Sequence, residues 1–237
     1  MVEAERVTRE AGERSPAPTR GPPAPADVLE HRLGPASTQS QQPGSTPSEL
    51  TVVGIGASAG GLEALKELFS TFPAVSNIAF VVIQHLDPDR PSHMADILGK
   101  LSSMRALAAE ERIPVEGGTI YTLPPGHFLV IRDGRLHLVE PFLDDGTRMP
   151  INLFFSSLAA DKRERAIGVV LSGNGSDGTE GLRAVRAAGG MAMVQAPETA
   201  EYDAMPRSAI ATDLADYILS PKESAAVLRI ASGQSRR

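Results

Sequence analysis

The chain has no cysteine and no tryptophan, and only 4% of its 237 residues are aromatic. Without cysteine there can be no disulfide, no thiolate metal site and no thiol nucleophile. With so few aromatic rings, Leu, Val, Ile and Ala must fill the core, and a hydrophobic content of 41% is enough for one. Basic residues are outnumbered. The formal net charge is -6 and the pI about 5.4. That argues against sequence-independent nucleic-acid binding, which needs Lys and Arg to neutralise phosphates. No apolar run approaches the roughly 18 residues of a membrane span, and the N-terminus has no apolar signal core. A cytoplasmic protein without membrane insertion is expected.

Large apolar residues are scarce before Glu49, where eight of the 19 prolines fall among Ser, Thr, Gln and Ala. Such a stretch buries too little surface to offset chain entropy, so residues 1–48 are expected to be a disordered tail. Residues 49–231 are expected to form one domain, and 232–237 a loose end.

Within that domain, apolar strands alternate with amphipathic stretches. Leu50 to Ile55, Ile78 to Ile83 and Ala166 to Leu171 read as buried strands. Helices are expected over Leu62–Thr71, Ser92–Ser102, Thr179–Ala188 and Pro206–Thr212, with further strands at Met191–Gln195 and Ala215–Leu219. This predicts an α/β fold: a doubly wound, mainly parallel sheet with helices on both faces. The segment Thr119–Val139 breaks the rhythm. Its Asp133-Gly134 pair between short alternating runs predicts an added antiparallel hairpin.

In open α/β sheets, sites form beyond the carboxyl ends of the strands. The first strand ends at Ser58, the second at Gln84-His85, the third at Asn174 and Asp177. Serine, histidine and aspartate from three turns on one sheet edge can make an acyl-transfer triad. Glycines 54, 56, 60 and 61 are expected to let the backbone around Ser58 turn sharply and approach a ligand.

Each residue also has a plainer reading. Ser58 could be an N-cap, Asp177 could cap the helix that follows it, and His85 could simply end a strand. Ser172 and Ser176 are alternative hydroxyls, but they come from the same loop as Asp177. Gly54-Ile-Gly56 resembles the start of a dinucleotide fingerprint. However, Ala59 stands at its third glycine, and the second strand lacks the acidic end that holds a ribose. His85, Asp87, Asp89 and His93 form a loose cluster without fixed ligand spacing, so no metal is expected. No cofactor is expected either.

Four ordered segments carry a resemblance: Val-Gly-Ile-Gly-Ala-Ser-Ala-Gly-Gly-Leu-Glu-Ala-Leu from Val53, Gln84-His85, Leu-Ser-Gly-Asn-Gly-Ser-Asp-Gly from Leu171, and Ala-Met-Pro-Arg-Ser-Ala-Ile from Ala204. Together they resemble the CheB-type protein-glutamate methylesterases, over about Leu50 to Ile230. The wording is most similar to esterase domains fused to methyltransferases. The resemblance implies a Ser58–His85–Asp177 triad that hydrolyses glutamate γ-methyl esters on the cytoplasmic helices of chemoreceptors, and in some members deamidates glutamine. Further partners it implies are a methyltransferase or a separate response regulator. The alternative is a non-catalytic module that binds such partners.

Three departures stand out. About 48 residues precede the domain, too few for the family's receiver domain, so control by aspartyl phosphorylation within this chain is not expected. Asn174 stands where a methionine is common in an oxyanion-linked loop. Ala59 replaces a common threonine beside the nucleophile. Ala59 and Asn174 are therefore the oxyanion candidates.

Overall fold

A computed structural model of the chain describes residues 50–85, 91–141 and 148–232. The expected tail at 1–48 lies outside the described residues, as do Asp87, Asp89 and all of the expected loose end at 232–237 except Ser232, which is buried and donates its N–H to the Leu228 carbonyl.

The main sheet has seven parallel strands in the order β10-β9-β8-β1-β2-β5-β3. In chain order these are β1 (Thr51–Ala57), β2 (Ile78–Gln84), β3 (Arg105–Ala108), β5 (Thr119–Thr122), β8 (Ala166–Val170), β9 (Met191–Gln195) and β10 (Tyr217–Leu219). From β1 the chain adds β2, places β3 at the far edge and inserts β5 between them, then returns to set β8 against the other side of β1. The strand order therefore reverses at β1, and a crevice opens there at the carboxyl edge.

Strand alternation separates two cores. Val52, Ala79, Val81 and Ile83 face one layer of helices: α3 (Pro150–Lys162), α4 (Thr179–Ala187) and α5 (Ala204–Ile210). Val53, Ile55, Phe80 and Val82 face the other: α1 (Gly61–Ser70), α2 (Met94–Leu101) and α6 (Pro221–Ala231). There Phe80 takes Phe69 and Phe72 edge-on, at centroid distances of 5.1 and 5.0 Å. Three of the seven phenylalanines thus form one favourable cluster.

The hairpin forms as expected between β6 (Phe128–Arg132) and β7 (Arg135–Val139). Asp133 and Gly134 both have positive φ, at 53° and 69°, the type I′ geometry whose twist suits a two-residue hairpin loop. A short β4 (Ile113–Pro114) adds a third strand beside β7. Thr119–Thr122, read with the hairpin in the sequence, instead joins the parallel sheet beside β2.

Helices α3 and α6 have no counterpart among the expected elements. α6 opens with a capping box in which Ser220 and Glu223 satisfy each other's backbone N–H groups. α3 starts with Pro150 and buries Ile151, Leu153, Phe154, Phe155 and Leu158. It lies between β1 and the small sheet, so apolar residues surround it and the one-sided periodicity of a surface helix is missing.

Gly54 and Gly56 have a different role from the one expected. They sit within β1, and a Cβ at Gly54 would lie 2.9 Å from the Phe155 ring, while one at Gly56 would collide with Ile151. Their bareness lets α3 lie directly on the central strand, which leaves the dinucleotide reading without its glycines. Among the described residues, no helix is long and apolar enough to cross a membrane.

Candidate active site

β1 delivers Ser58 immediately after Ala57, and β2 delivers His85 immediately after Gln84. The His85 N–H donates to the Ala57 carbonyl at 3.2 Å, and the Ser58 N–H donates to the Ser172 carbonyl at 3.0 Å. These bonds tie the ends of β1, β2 and β8 into one edge. The side chains meet there. The Ser58 hydroxyl donates to His85 Nδ1 at 3.2 Å, and His85 Nε2–H donates to Asp177 Oδ2 at 2.8 Å.

The ring is turned over relative to the serine-protease arrangement, in which Nε2 faces the serine and Nδ1 the aspartate. A neutral imidazole with its proton on Nε2 leaves Nδ1 as the lone-pair acceptor, which is what a base toward Ser58 requires. Ser172 and Ser176 do not take this position.

Asp177 is 3% exposed, whereas the His85 side chain is 31% exposed. The buried carboxylate is well supplied with donors. Ile151 N–H gives a bond to Oδ2 at 3.0 Å and Asn152 N–H one to Oδ1 at 2.9 Å. Both are free donors at the start of α3, where the helix dipole also favours an anion. Asp177 therefore does cap a helix, but it is α3, which precedes it, and not the helix that follows. The N-cap of α4 is Gly178, with no side-chain cap. Ser58 is not an N-cap either, because α1 begins behind Gly60 without a side-chain cap.

Asn152 is a site residue that the sequence reading missed. Its Oδ1 accepts from both Gly178 N–H and Gly181 N–H at 2.9 Å. The starts of α3 and α4 are thereby clasped around Asp177. An Asn two residues after a proline was the available signal, but it meant nothing while α3 was unseen. Met205, in the fourth sequence segment, packs against Gly173, and its N–H donates to the Gly173 carbonyl at 2.9 Å. That segment thus supports the loop between β8 and Asp177.

The oxyanion candidates are placed differently. The Ser58 carbonyl accepts from Gly61 N–H at 3.0 Å. Across a trans peptide the Ala59 N–H points the opposite way, out of the turn, and it has no partner among the described residues. Asn174 is exposed in the β8–α4 loop, and its N–H likewise has no partner there.

Beside His85 a cleft of about 140 Å³ is walled by Leu123, Pro124, Phe128 and Pro150, with exposed Arg148 on its lining. His93 is largely exposed and only approaches Asp96, at 3.8 Å. His127 and His137 stay with the hairpin, bonded to the Pro125 carbonyl and Glu111. Among the described residues no group of three or more His, Asp or Glu side chains could hold a metal.

The CheB methylesterase family profile matches residues 53–228. A Leptospira interrogans protein assigned by name to the protein-glutamate methylesterases/protein-glutamine glutaminases is 36% identical over 167 residues, covering 70% of this chain and 86% of its own length. A Geobacter sulfurreducens protein-glutamate methylesterase/protein-glutamine glutaminase is 37% identical over 175 residues, covering 72% of this chain and 47% of the relative. Among solved structures, the catalytic domain of Thermotoga maritima CheB methylesterase superposes with a TM-score of 0.72 at 27% identity, covering 77% of this chain and 98% of that domain. With the profile spanning most of the folded chain and the same fold in a solved relative, the chain belongs to the CheB methylesterase family of hydrolases.

Proposed function

We propose that residues 49–231 form a serine esterase domain that removes methyl groups from glutamate γ-methyl esters of chemoreceptor cytoplasmic helices. The observation that carries this reading is the single imidazole bonded on one side to Ser58 Oγ and on the other to buried Asp177. His85 Nδ1 takes the Ser58 proton as Oγ attacks the ester carbonyl. Asp177 holds the tautomer and stabilises the imidazolium. The developing oxyanion meets the outward N–H of Ala59 and that of Asn174. The imidazolium then protonates the departing methoxide, methanol leaves, and His85 activates a water that hydrolyses the acyl-enzyme.

A glutamine side chain in the same place would release ammonia by the same steps, which is the deamidase activity named in the relatives. The domain works in the cytoplasm, on methylated receptor helices, alongside a methyltransferase or a separate response regulator. The test is to incubate the full chain with a methylated receptor cytoplasmic fragment from the same cell. Methanol release, matched by loss of one methyl per modified glutamate in the mass spectrum, is the expected outcome. A receptor that keeps its methyl groups while the protein is folded contradicts the assignment.

A further inference from the structure

The turn that carries Ser58 needs something to fix its central peptide. Ser58 to Gly61 closes through the Gly61 N–H to Ser58 carbonyl bond. Gly60, third in the turn, has φ 70° and ψ -6°, while Ala59 is not among the residues of positive φ. This is the type II pattern. A type I turn has the same ends, with the Ala59–Gly60 peptide flipped over. Glycine at position 60 permits the type II form but does not impose it, because glycine accepts either sign of φ.

One side chain grips that peptide. Ser172 Oγ–H donates to the Ala59 carbonyl at 2.8 Å, with the Tyr202 carbonyl a longer second acceptor at 3.3 Å, and the same oxygen accepts from Tyr202 N–H at 3.0 Å. Ser172 is itself held on both sides. Its carbonyl accepts from Ser58 N–H, and its N–H donates to Gln195 Oε1 at 2.8 Å. The residue is 1% exposed, so water does not compete for its hydroxyl. With its proton and a lone pair both committed, Ser172 is not a second nucleophile.

We infer that Ser172 is a positioning residue for the reaction. Its hydroxyl holds the Ala59–Gly60 peptide in the type II orientation, and so keeps Ser58 Oγ and the adjoining N–H donors aimed at one point. This rests on the reading of Ser58 as nucleophile. Loss of the hydroxyl frees the peptide to flip. A flip puts the Ala59 carbonyl where the Gly60 N–H was, an acceptor in place of a donor, in the peptide directly after the one that carries the Ala59 N–H. The oxyanion side of the reaction suffers, while ground-state binding of the receptor does not.

A fluorophosphonate probe reads this directly. Ser58 Oγ bonds to phosphorus, fluoride leaves, the Ser58 proton passes to His85, and the phosphoryl oxygen uses the oxyanion donors. Wild type should label at Ser58. Ser172→Ala should label about tenfold more slowly, the equivalent of one net hydrogen bond. Its kcat on methylated receptor should fall by a similar factor with KM unchanged, and Ser172→Thr, which keeps the hydroxyl, should recover the rate. Equal labelling of wild type and Ser172→Ala overturns the inference while leaving Ser58 as the nucleophile. So does a slow Ser172→Thr, a rise in KM alone, or a loss of rate that follows unfolding in a thermal melt. A wild type that does not label at Ser58 defeats the nucleophile reading itself, and this inference with it.

Discussion

The two nitrogens of the His85 ring face regions built in different ways. On the Nδ1 side, Ser58 sits on a short turn at the end of β1, partly open to solvent, with its neighbours fixed by bonds between adjacent loops. On the Nε2 side, Asp177 is buried and takes two backbone N–H groups from the start of α3 in addition to the imidazole. In the proposed reaction one side has to change, since Ser58 Oγ would gain and lose an acyl group. The other has only to stay negative and in place. The rigid, dry, dipole-facing position belongs to the partner that, in that proposal, is never acylated.

The largest expected effect breaks the fixed side. Asp177→Asn keeps the shape but removes the charge and the tautomer control, so kcat should fall by about 10³–10⁴, measured as methanol release at saturating receptor. A loss below about tenfold would mean that Asp177 only caps α3. Next is the clasp. Asn152→Ala strands the N–H groups of Gly178 and Gly181, which should cost about 1–3 kcal/mol in denaturant unfolding and lower kcat. Asn152→Asp retains the acceptor and places a second carboxylate beside Asp177. The like charge should move the acid limb of the kcat/KM profile to higher pH. An unmoved limb would mean that the clasp does not reach the imidazole.

Gly56→Ala tests whether α3 must lie tightly on β1. The new methyl meets Ile151, next to the N–H that holds Asp177. About 1–3 kcal/mol of destabilisation is expected from overpacking, with labelling at Ser58 less affected than stability.

The smallest effect is a control distant from both nitrogens. Tyr121 is buried, donates to the Pro114 carbonyl and accepts from Glu116 N–H, both at 2.9 Å. Burial, only partly offset by the bond from Glu116, raises its phenol above the ordinary 10.0. The stability of its neutral form is complete below pH 10.0 and is lost as pH rises through the raised value. Tyr121→Phe should remove that part of the alkaline loss in pH-dependent melts and leave kcat at neutral pH unchanged.

The same contrast governs how much could be read from the sequence. Ser58, His85 and Asp177 follow apolar runs of strand length, so their shared edge was visible from topology. The hairpin was visible because Asp133-Gly134 is a turn signal with a mechanism. α3 was not, since a helix buried on nearly every side shows no amphipathic period, and with it went Asn152 and the true partner of the Asp177 cap. α6 was missed despite its Ser220–Glu223 box. Gly54 and Gly56 were misread for a related reason. A glycine that lets a helix approach a strand looks the same in sequence as one that lets a ligand approach.

The measurement that tests the account most directly is the rate of methanol release from methylated receptor by wild type and by Ser58→Ala, with the folded state of each checked by thermal melting. The account predicts turnover by wild type and none above background by a Ser58→Ala protein that melts normally. Equal release by the two proteins would contradict it.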